Sequence, residues 1–186
     1  QLLPETTYYW GEIAQNTSWD NKSVRFIIGD LTILPGTYLE VKPGTKIYIA
    51  ESDSFKTGNI NRVEFIIKGQ IKAQGTSSAP ITFSLSASGG QKWQGLILEN
   101  ADSSYLNNCQ ISNAYYGIKS DSSTIIIDSC QFFSNNQALN LNYTQAEINN
   151  SHFYNHLYTA IEINYSASKI VNNKAVSYTH LTLPTN

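Results

Sequence analysis

The chain has 186 residues, 12 basic and 14 acidic side chains, and a formal net charge of −2 at pH 7. Its Lys and Arg residues form no basic face of the kind that neutralises phosphates in nucleic-acid binders, and no run approaches the ~20 apolar residues of a membrane span. Charged residues make up only 14% of the sequence, while Asn, Ser, Thr, Tyr and Ile are abundant, which favours an all-β protein with polar turns.

The N-terminal segment, residues 1–23, is rich in aromatic side chains, including Trp10 and Trp19, and precedes the patterned part of the chain. The open end of a stack of strands exposes unpaired edges, which natural proteins cover. Residues 1–23 are therefore predicted to be an N-terminal capping segment. The sequence starts with Gln1 and contains no Met, so we expect that a signal peptide was removed or that a longer protein precedes it.

Three segments of alternating apolar residues, each containing or bounded by Gly or Pro, come next along the chain. Gly36, Gly44 and Gly75 follow predicted strands where the chain must turn sharply, and Gly adopts positive φ without strain. Residues 51–62 interrupt the pattern and are predicted to form a projecting loop. The three segments are residues 28–45 (IGDLTILPGTYLEVKPGT), 68–83 (KGQIKAQGTSSAPITF) and 93–96 (WQGL).

A repeat with a period of about 21–22 residues fills the second half of the chain. Leu106, Ile127, Ile148 and Ile170 recur at this interval, and several further positions keep the same phase. This period is too short for the common helix-containing repeats, but it fits three short strands and three turns. Coils of this kind stack ~4.8 Å apart, so each position becomes a column of similar side chains. Asn suits the turns because it tolerates the left-handed conformation.

These motifs resemble those of the right-handed parallel β-helix (pectin-lyase-like) proteins, particularly the secreted and surface-anchored forms of Bacteroidetes-type bacteria. Residues 28–45 are similar to the opening G-D-L-T-I-x-x-G-x-x-L-x-V-x-P-G-T of that family. The resemblance covers residues 24–174. It implies an all-β, right-handed parallel β-helix solenoid of about seven coils, each of about 21–22 residues. It implies little about activity, because one scaffold hosts many functions.

The C-terminal sequence VSYTHLTLPT, at residues 176–185, breaks the repeat. It is similar to a translated sequencing adaptor of the kind found at the ends of reading frames from shotgun assemblies. Residues 175–186 are therefore predicted to be an adaptor-derived, non-native tail. It follows that the natural β-helix is expected to continue, and that this chain is truncated within a repeat.

Enzymes of the family that the chain resembles use an Arg or Lys base beside acidic Ca²⁺ ligands, or several Asp residues with a His and a Lys. The only arginines are Arg25 and Arg62, both before the repeats, and no such acidic cluster is present. We therefore expect no catalytic residue, no metal site and no cofactor.

One acidic pair has a spacing that suits glycoside hydrolysis, which needs two carboxyl groups ~5–9.5 Å apart. Asp128 and Glu147 fall on adjacent coils, two columns apart, and both should point outward. Lys169 falls in the column of Glu147 on the next coil. An ion pair between these two residues would explain Glu147 without catalysis, so we expect a solvated ladder here.

Two histidines and two cysteines have the spacing of metal or disulfide sites. His152 and His156 lie four residues apart in a segment that is not helical and has no third ligand, so both are predicted to be exposed polar residues. Cys109 and Cys130 occupy one inward column, ~4.8 Å apart, which is within disulfide range. We expect stacked free thiols there, with a disulfide as the alternative.

Aromatic residues on the outer surface are the best functional lead. Phe133 and Tyr154 share a predicted outward column, and Tyr143 and Tyr165 form a second column near a turn. Regularly spaced rings on a rigid face can stack against the apolar faces of sugars. Ladder stacking alone, worth ~0.2–1 kcal/mol per pair, is the alternative explanation. These four residues are the candidate ligand-binding residues.

The function that these observations favour is a non-catalytic, extracellular or cell-surface β-helix module that is adhesive or binds a polysaccharide or cell-surface glycan, as a monomer. A second hypothesis is a fragment of a polysaccharide lyase or glycoside hydrolase whose catalytic coils lie outside this sequence. A third is a structural spacer in a larger surface protein.

Overall fold

A computed structural model describes residues 5–56, 58, 62–86 and 91–176 of the chain. Within these residues there are twenty β-strands and no helix. The strands form one 13-stranded and one seven-stranded sheet in which strand neighbours come from successive coils. The predicted fold is therefore confirmed: the chain is an all-β parallel β-helix of about seven coils.

The strands stack in three rows around an apolar interior, with one strand of each row in most coils. Row 1 comprises β6 (Glu64–Ile67), β9 (Gly95–Glu99), β12 (Tyr116–Asp121), β15 (Gln137–Asn142) and β18 (Ile161–Asn164). Row 2 comprises β2 (Thr17–Trp19), β4 (Tyr38–Val41), β7 (Gln70–Gln74), β10 (Ser104–Asn107), β13 (Thr124–Asp128), β16 (Gln145–Asn149) and β19 (Ala167–Val171). Row 3 comprises β5 (Lys46–Ile49), β8 (Ile81–Leu85), β11 (Cys109–Ser112), β14 (Gln131–Phe133), β17 (His152–Tyr154) and β20 (Lys174–Val176).

The long strand β3 (Ser23–Ile33) joins two of these rows. Its first half pairs with β5 of row 3 and its second half with β6 of row 1. Strand β1 (Glu5–Ile13) pairs in parallel with β3, and β2 pairs in parallel with β4. Much of the predicted capping segment thus continues the sheets by one more layer of strands.

Alternation along each strand decides which side chains face the interior. Leu106, Ile127 and Ile148 are successive register partners and at most 1% exposed. Ile170 continues the column but is 45% exposed, since it lies in the last described layer of row 2. The four residues that recur at the predicted interval are thus partners in neighbouring coils, which confirms the predicted repeat.

The backbone turns between rows through residues in the left-handed conformation. Eleven corner residues have φ between 47 and 58°. Asn is suited to this conformation, as predicted, but Ser and Tyr also occupy it. The corners are Asn100, Ser122, Tyr143 and Tyr165 after row 1, Asn108, Ser129, Asn150 and Asn172 after row 2, and Asn113, Ser134 and Asn155 after row 3.

The predicted role of glycine is confirmed at two positions and wrong at a third. Gly36 and Gly44 have φ of 75° and 77°. Gly75 does not have positive φ; a Cβ atom there would lie 2.5 Å from the carbonyl oxygen of Asn108. Close approach of the neighbouring coil, not turn geometry, therefore excludes a side chain at Gly75.

Both ends of the chain include residues that belong to the β-helix although they were predicted to lie outside it. Trp19 is 1% exposed and its ring contacts Tyr9, with centroids 4.6 Å apart, so part of the N-terminal segment belongs to the core. At the other end, Ala175 and Val176 form the end of β20, paired with β17. The remainder of the predicted adaptor-derived tail, residues 177–186, lies outside the described residues.

Aromatic side chains stack inside the coils as well as outside. Phe132 and Phe153 are fully buried register partners whose ring centroids lie 5.1 Å apart with planes 10° from parallel. Nearer the N-terminus, Phe65 packs between Trp19 and Phe83 at 6.2 and 6.5 Å. The interior is therefore close-packed by columns of similar side chains, and shortening one of them leaves a cavity.

Replacing neighbouring phenylalanines that face opposite ways tests this arrangement. Phe132→Ala should lower the free energy of unfolding by about 3–5 kcal/mol, because the side chain is buried and the coils can relax only partly into the cavity. Phe133→Ala, one residue further and on the outer face, should cost about 1 kcal/mol or less. Urea unfolding followed by circular dichroism measures both. Equal losses would contradict the alternation.

Candidate functional site

Phe133 and Tyr154, together called here the Phe133 platform, lie side by side on the outer face of row 3. They are register partners on β14 and β17, and their rings stack with centroids 5.3 Å apart and planes 8° from parallel. Both side chains are half-buried, and the Tyr154 hydroxyl donates to Gln131 Oε1 at 3.5 Å. Ser112 precedes Phe133 in the column and is 2% exposed, so the platform has two rings.

Tyr143 and Tyr165, called here the Tyr143 corner pair, stack at the corner between rows 1 and 2. Their ring centroids lie 5.1 Å apart with planes 10° from parallel. Their side chains are 62% and 82% exposed, and both residues have positive φ, of 47° and 50°. Bulky residues rarely adopt this conformation, so each of these tyrosines is a backbone outlier. The predicted second column is thus present, in a strained setting that the sequence did not reveal.

A network of amides and one carboxylate covers the outer face of row 1 beside the Tyr143 corner pair. Glu162 Oε2 accepts from Gln137 Nε2 at 2.7 Å and from Asn140 Nδ2 at 3.2 Å, and its Oε1 accepts from Asn164 Nδ2 at 3.2 Å. These hydrogen bonds lower the pKa of Glu162, and the one from Gln137 contributes most. Asn164 also donates to Asn142 Oδ1, so the network reaches the residues that precede both tyrosines.

One member of the acidic pair of row 2, Asp128, has a structural explanation, although not the predicted one. Asp128 accepts from Asn107 Nδ2 at 2.9 Å and from Asn150 Nδ2 at 2.8 Å, which ties three coils together. Glu147 and Lys169 are register partners, as predicted, but they form no ion pair, and that expectation was wrong. Exposed ion pairs gain little over solvation, so register alone does not bring the charged atoms together.

The two histidines differ, and the prediction for one of them was wrong. His152 is exposed, as predicted, and follows Gln110 and Gln131 in one outward column. His156 is only 5% exposed, and the carbonyls of Asn135 and Phe132 lie near its ring in a geometry that falls short of a regular hydrogen bond. The Leu157 N–H donates to the Asn135 carbonyl, which places His156 beside the buried Asn135 of the preceding coil. His156, which was predicted to be exposed, is therefore covered by the surrounding residues.

Cys109 and Cys130 are buried and form no disulfide, in agreement with the prediction of free thiols. The Cys109 N–H donates to Cys130 Sγ at 3.4 Å. Burial, and then the neighbouring thiol, raise the pKa of Cys109 well above its ordinary value. A buried, protonated thiol is a poor nucleophile and a poor metal ligand, so these residues serve as core side chains.

No group of three or more His, Cys, Asp or Glu residues in the described part of the chain has metal-binding geometry. The described part also contains no helix of the length and apolarity that a membrane crossing needs.

One exposed aromatic pair was not predicted from the sequence. Trp10 of β1 stacks on Phe55 of the loop, with centroids 5.1 Å apart and planes 14° from parallel, and their exposures are 51% and 46%. The two residues are distant in the sequence and lie outside the repeat, so no spacing could indicate their contact. Trp10 lies in the predicted capping segment and Phe55 in the predicted projecting loop, and their position outside the repeat was the only available signal.

The burial of His156 generates a testable pH dependence. Desolvation lowers the pKa of His156 from 6.5 to about 4, the charge of Lys92 acts in the same direction, and the carbonyls of Asn135 and Phe132 oppose it. Since the unfolded chain binds the proton first, the free energy of unfolding should fall as pH decreases from about 6.5 to about 4, by up to about 3 kcal/mol.

The variant His156→Asn, which places in this coil the residue type of Asn135, should remove that part of the pH dependence. His152→Asn should retain it, because His152 is exposed. Urea unfolding at pH 7, 5.5 and 4.5 measures the difference between the proteins. An unchanged pH dependence in His156→Asn would show that His156 is not buried as described.

Comparisons with known proteins identify the family. The profile of one family, described as a right handed beta helix region, matches residues 15–175. No curated protein and no solved structure matches the chain. The family match covers most of the chain and agrees with the stacked rows described above. The chain therefore belongs to the right-handed β-helix family.

Proposed function

We propose that this chain is a non-catalytic, glycan-binding module of a secreted or surface-anchored bacterial protein, and that it acts as a monomer. The extracellular setting follows the resemblance to pectin-lyase-like surface proteins. The observation that carries the binding proposal is the presence of two columns of stacked aromatic rings on the outer face of a rigid scaffold.

The backbone of the Tyr143 corner pair supports the proposal most strongly. The same corner is occupied by Asn100 and Ser122 in the preceding coils, where small polar side chains suit the left-handed conformation. Replacing them with Tyr costs on the order of 1 kcal/mol or more per residue. The chain accepts this cost in two successive coils and leaves both rings exposed, which favours a role for the rings in binding.

Rigid spacing supports the proposal for both columns. The centroid separations of 5.3 Å in the Phe133 platform and 5.1 Å in the corner pair are set by the coil spacing, so little side-chain entropy remains to be lost on binding. Sugar rings have apolar faces that can stack on such surfaces. The amides and the Glu162 carboxylate beside the corner pair supply donors and acceptors for sugar hydroxyl groups.

A glycan array probed with the unaltered chain and two double variants tests the proposal. Phe133→Ser with Tyr154→Ser, and Tyr143→Asn with Tyr165→Asn, should each weaken binding about tenfold or more, the equivalent of about 1.4 kcal/mol for a lost stacking surface. The second variant should fold with equal or higher stability, because Asn suits the left-handed corner better than Tyr.

Trp10→Ser is a matched control, since it removes an exposed ring, stacked in the same manner, that lies outside both columns. Binding by this control should equal that of the unaltered chain. Unchanged binding in both double variants, with the fold intact by circular dichroism, would place the site elsewhere. Failure of the unaltered chain to bind any glycan on the array would refute the proposed function.

A further inference from the structure

A depression of about 410 Å³ lies on the outer face of row 2, across the three successive strands β13, β16 and β19. Two of its lining residues, Gln145 and Ala167, each follow a tyrosine of the Tyr143 corner pair by two residues. Two residues of extended strand span only about 7 Å. A glycan chain that stacks one sugar on the corner pair can therefore place its next sugar in the depression.

Apolar surface is available to a ligand in this depression. Ala167 is exposed and is the register partner of Gln145, so a methyl group stands where the preceding coil has a long side chain. Ile126 points outward and is half-buried, and its register partner in the next coil is Glu147. The apolar face of a sugar ring can therefore rest on Ile126 and Ala167.

Glu147 and Lys169 bring one negative and one positive charge to the same depression. Both line it, both are exposed, and they are register partners on neighbouring strands, which lie ~4.8 Å apart. Neither side chain is hydrogen-bonded or ion-paired to another residue in the part of the chain that the structure describes. The carboxylate and the ammonium group are therefore both accessible to a ligand, and both side chains are long enough to converge on one sugar.

The chemistry of this pair restricts the ligand. The Glu147 carboxylate only accepts hydrogen bonds and the Lys169 ammonium only donates them, whereas a hydroxyl group does both. An acidic group on the sugar would meet the like charge of Glu147, and an amino group that of Lys169. We propose that this depression binds an uncharged sugar through two hydroxyl groups on adjacent carbons, while the neighbouring sugar stacks on the Tyr143 corner pair. This assignment rests on the glycan-binding function proposed above.

Single variants of the whole chain on the glycan array test the assignment. Glu147→Gln and Lys169→Met should each weaken binding to the glycans that the unaltered chain binds by about tenfold, because each removes a charge-assisted hydrogen bond. Glu12→Gln and Lys46→Met are matched controls, since they change an exposed glutamate of β1 and an exposed lysine of β5, and should bind like the unaltered chain. All four variants should keep the unfolding midpoint in urea, because exposed substitutions of this kind change stability little.

The identity of the bound glycans tests the ligand chemistry. Internal sugars of β-1,4-linked glucose chains have two free hydroxyls on adjacent carbons, and those of β-1,3-linked chains do not, so the former should bind about tenfold more tightly at equal length. Equal binding of the two chains, or a bound set made up of charged glycans, would overturn the assignment.

The tyrosine variants separate this assignment from the proposed function. Unchanged binding in Glu147→Gln or in Lys169→Met, together with weakened binding in the double variant Tyr143→Asn with Tyr165→Asn, would overturn the assignment and leave the proposed function standing. Failure of the unaltered chain to bind any glycan on the array would overturn both.

Discussion

From Asn100 to Asn172, the left-handed conformation at the three corners between the rows is the constraint on which the rest of the structure depends. Each corner passes the chain from one row to the next, and corners of the same column must agree for the strands above and below to keep parallel pairing. Register then carries the alternation of side chains from coil to coil. It buries Phe132 over Phe153 and, by the same geometry, directs Phe133 and Tyr154 to the outer face. The candidate binding surface therefore arises directly from the geometry of the core.

The parts of the structure that depend only on local chain geometry could be predicted from the sequence. The columns through Ile127 and Phe132 follow from a period of two along the strand and from a constant repeat length. This period and this repeat length can be read from a single sequence. The left-handed conformation of Tyr143 and Tyr165 could not be predicted from the backbone preference of the residue type, because Tyr disfavours that conformation. Their positions follow only from alignment with Asn100 and Ser122 of earlier coils.

The predictions that were wrong concern whether a side chain is surrounded by solvent or covered by other residues. A histidine in a turn is usually solvated, yet His156 is covered, since it continues the inward column of Asn135. Register places Glu147 beside Lys169, but the energy of an exposed ion pair is too small to fix two long side chains. Periodicity determines where a residue lies. It does not determine whether water or another side chain surrounds it.

Under the proposed function, the two register-fixed aromatic columns bind the glycan. The most direct test is a crystal structure of the whole chain with the oligosaccharide that it binds most tightly. We expect a sugar ring parallel to Tyr154 or Tyr165 at the ordinary carbon–carbon contact distance of about 3.5–4 Å, with the coils unchanged. A sugar bound away from both columns, or coils that rearrange to bind it, would contradict the proposed binding surface.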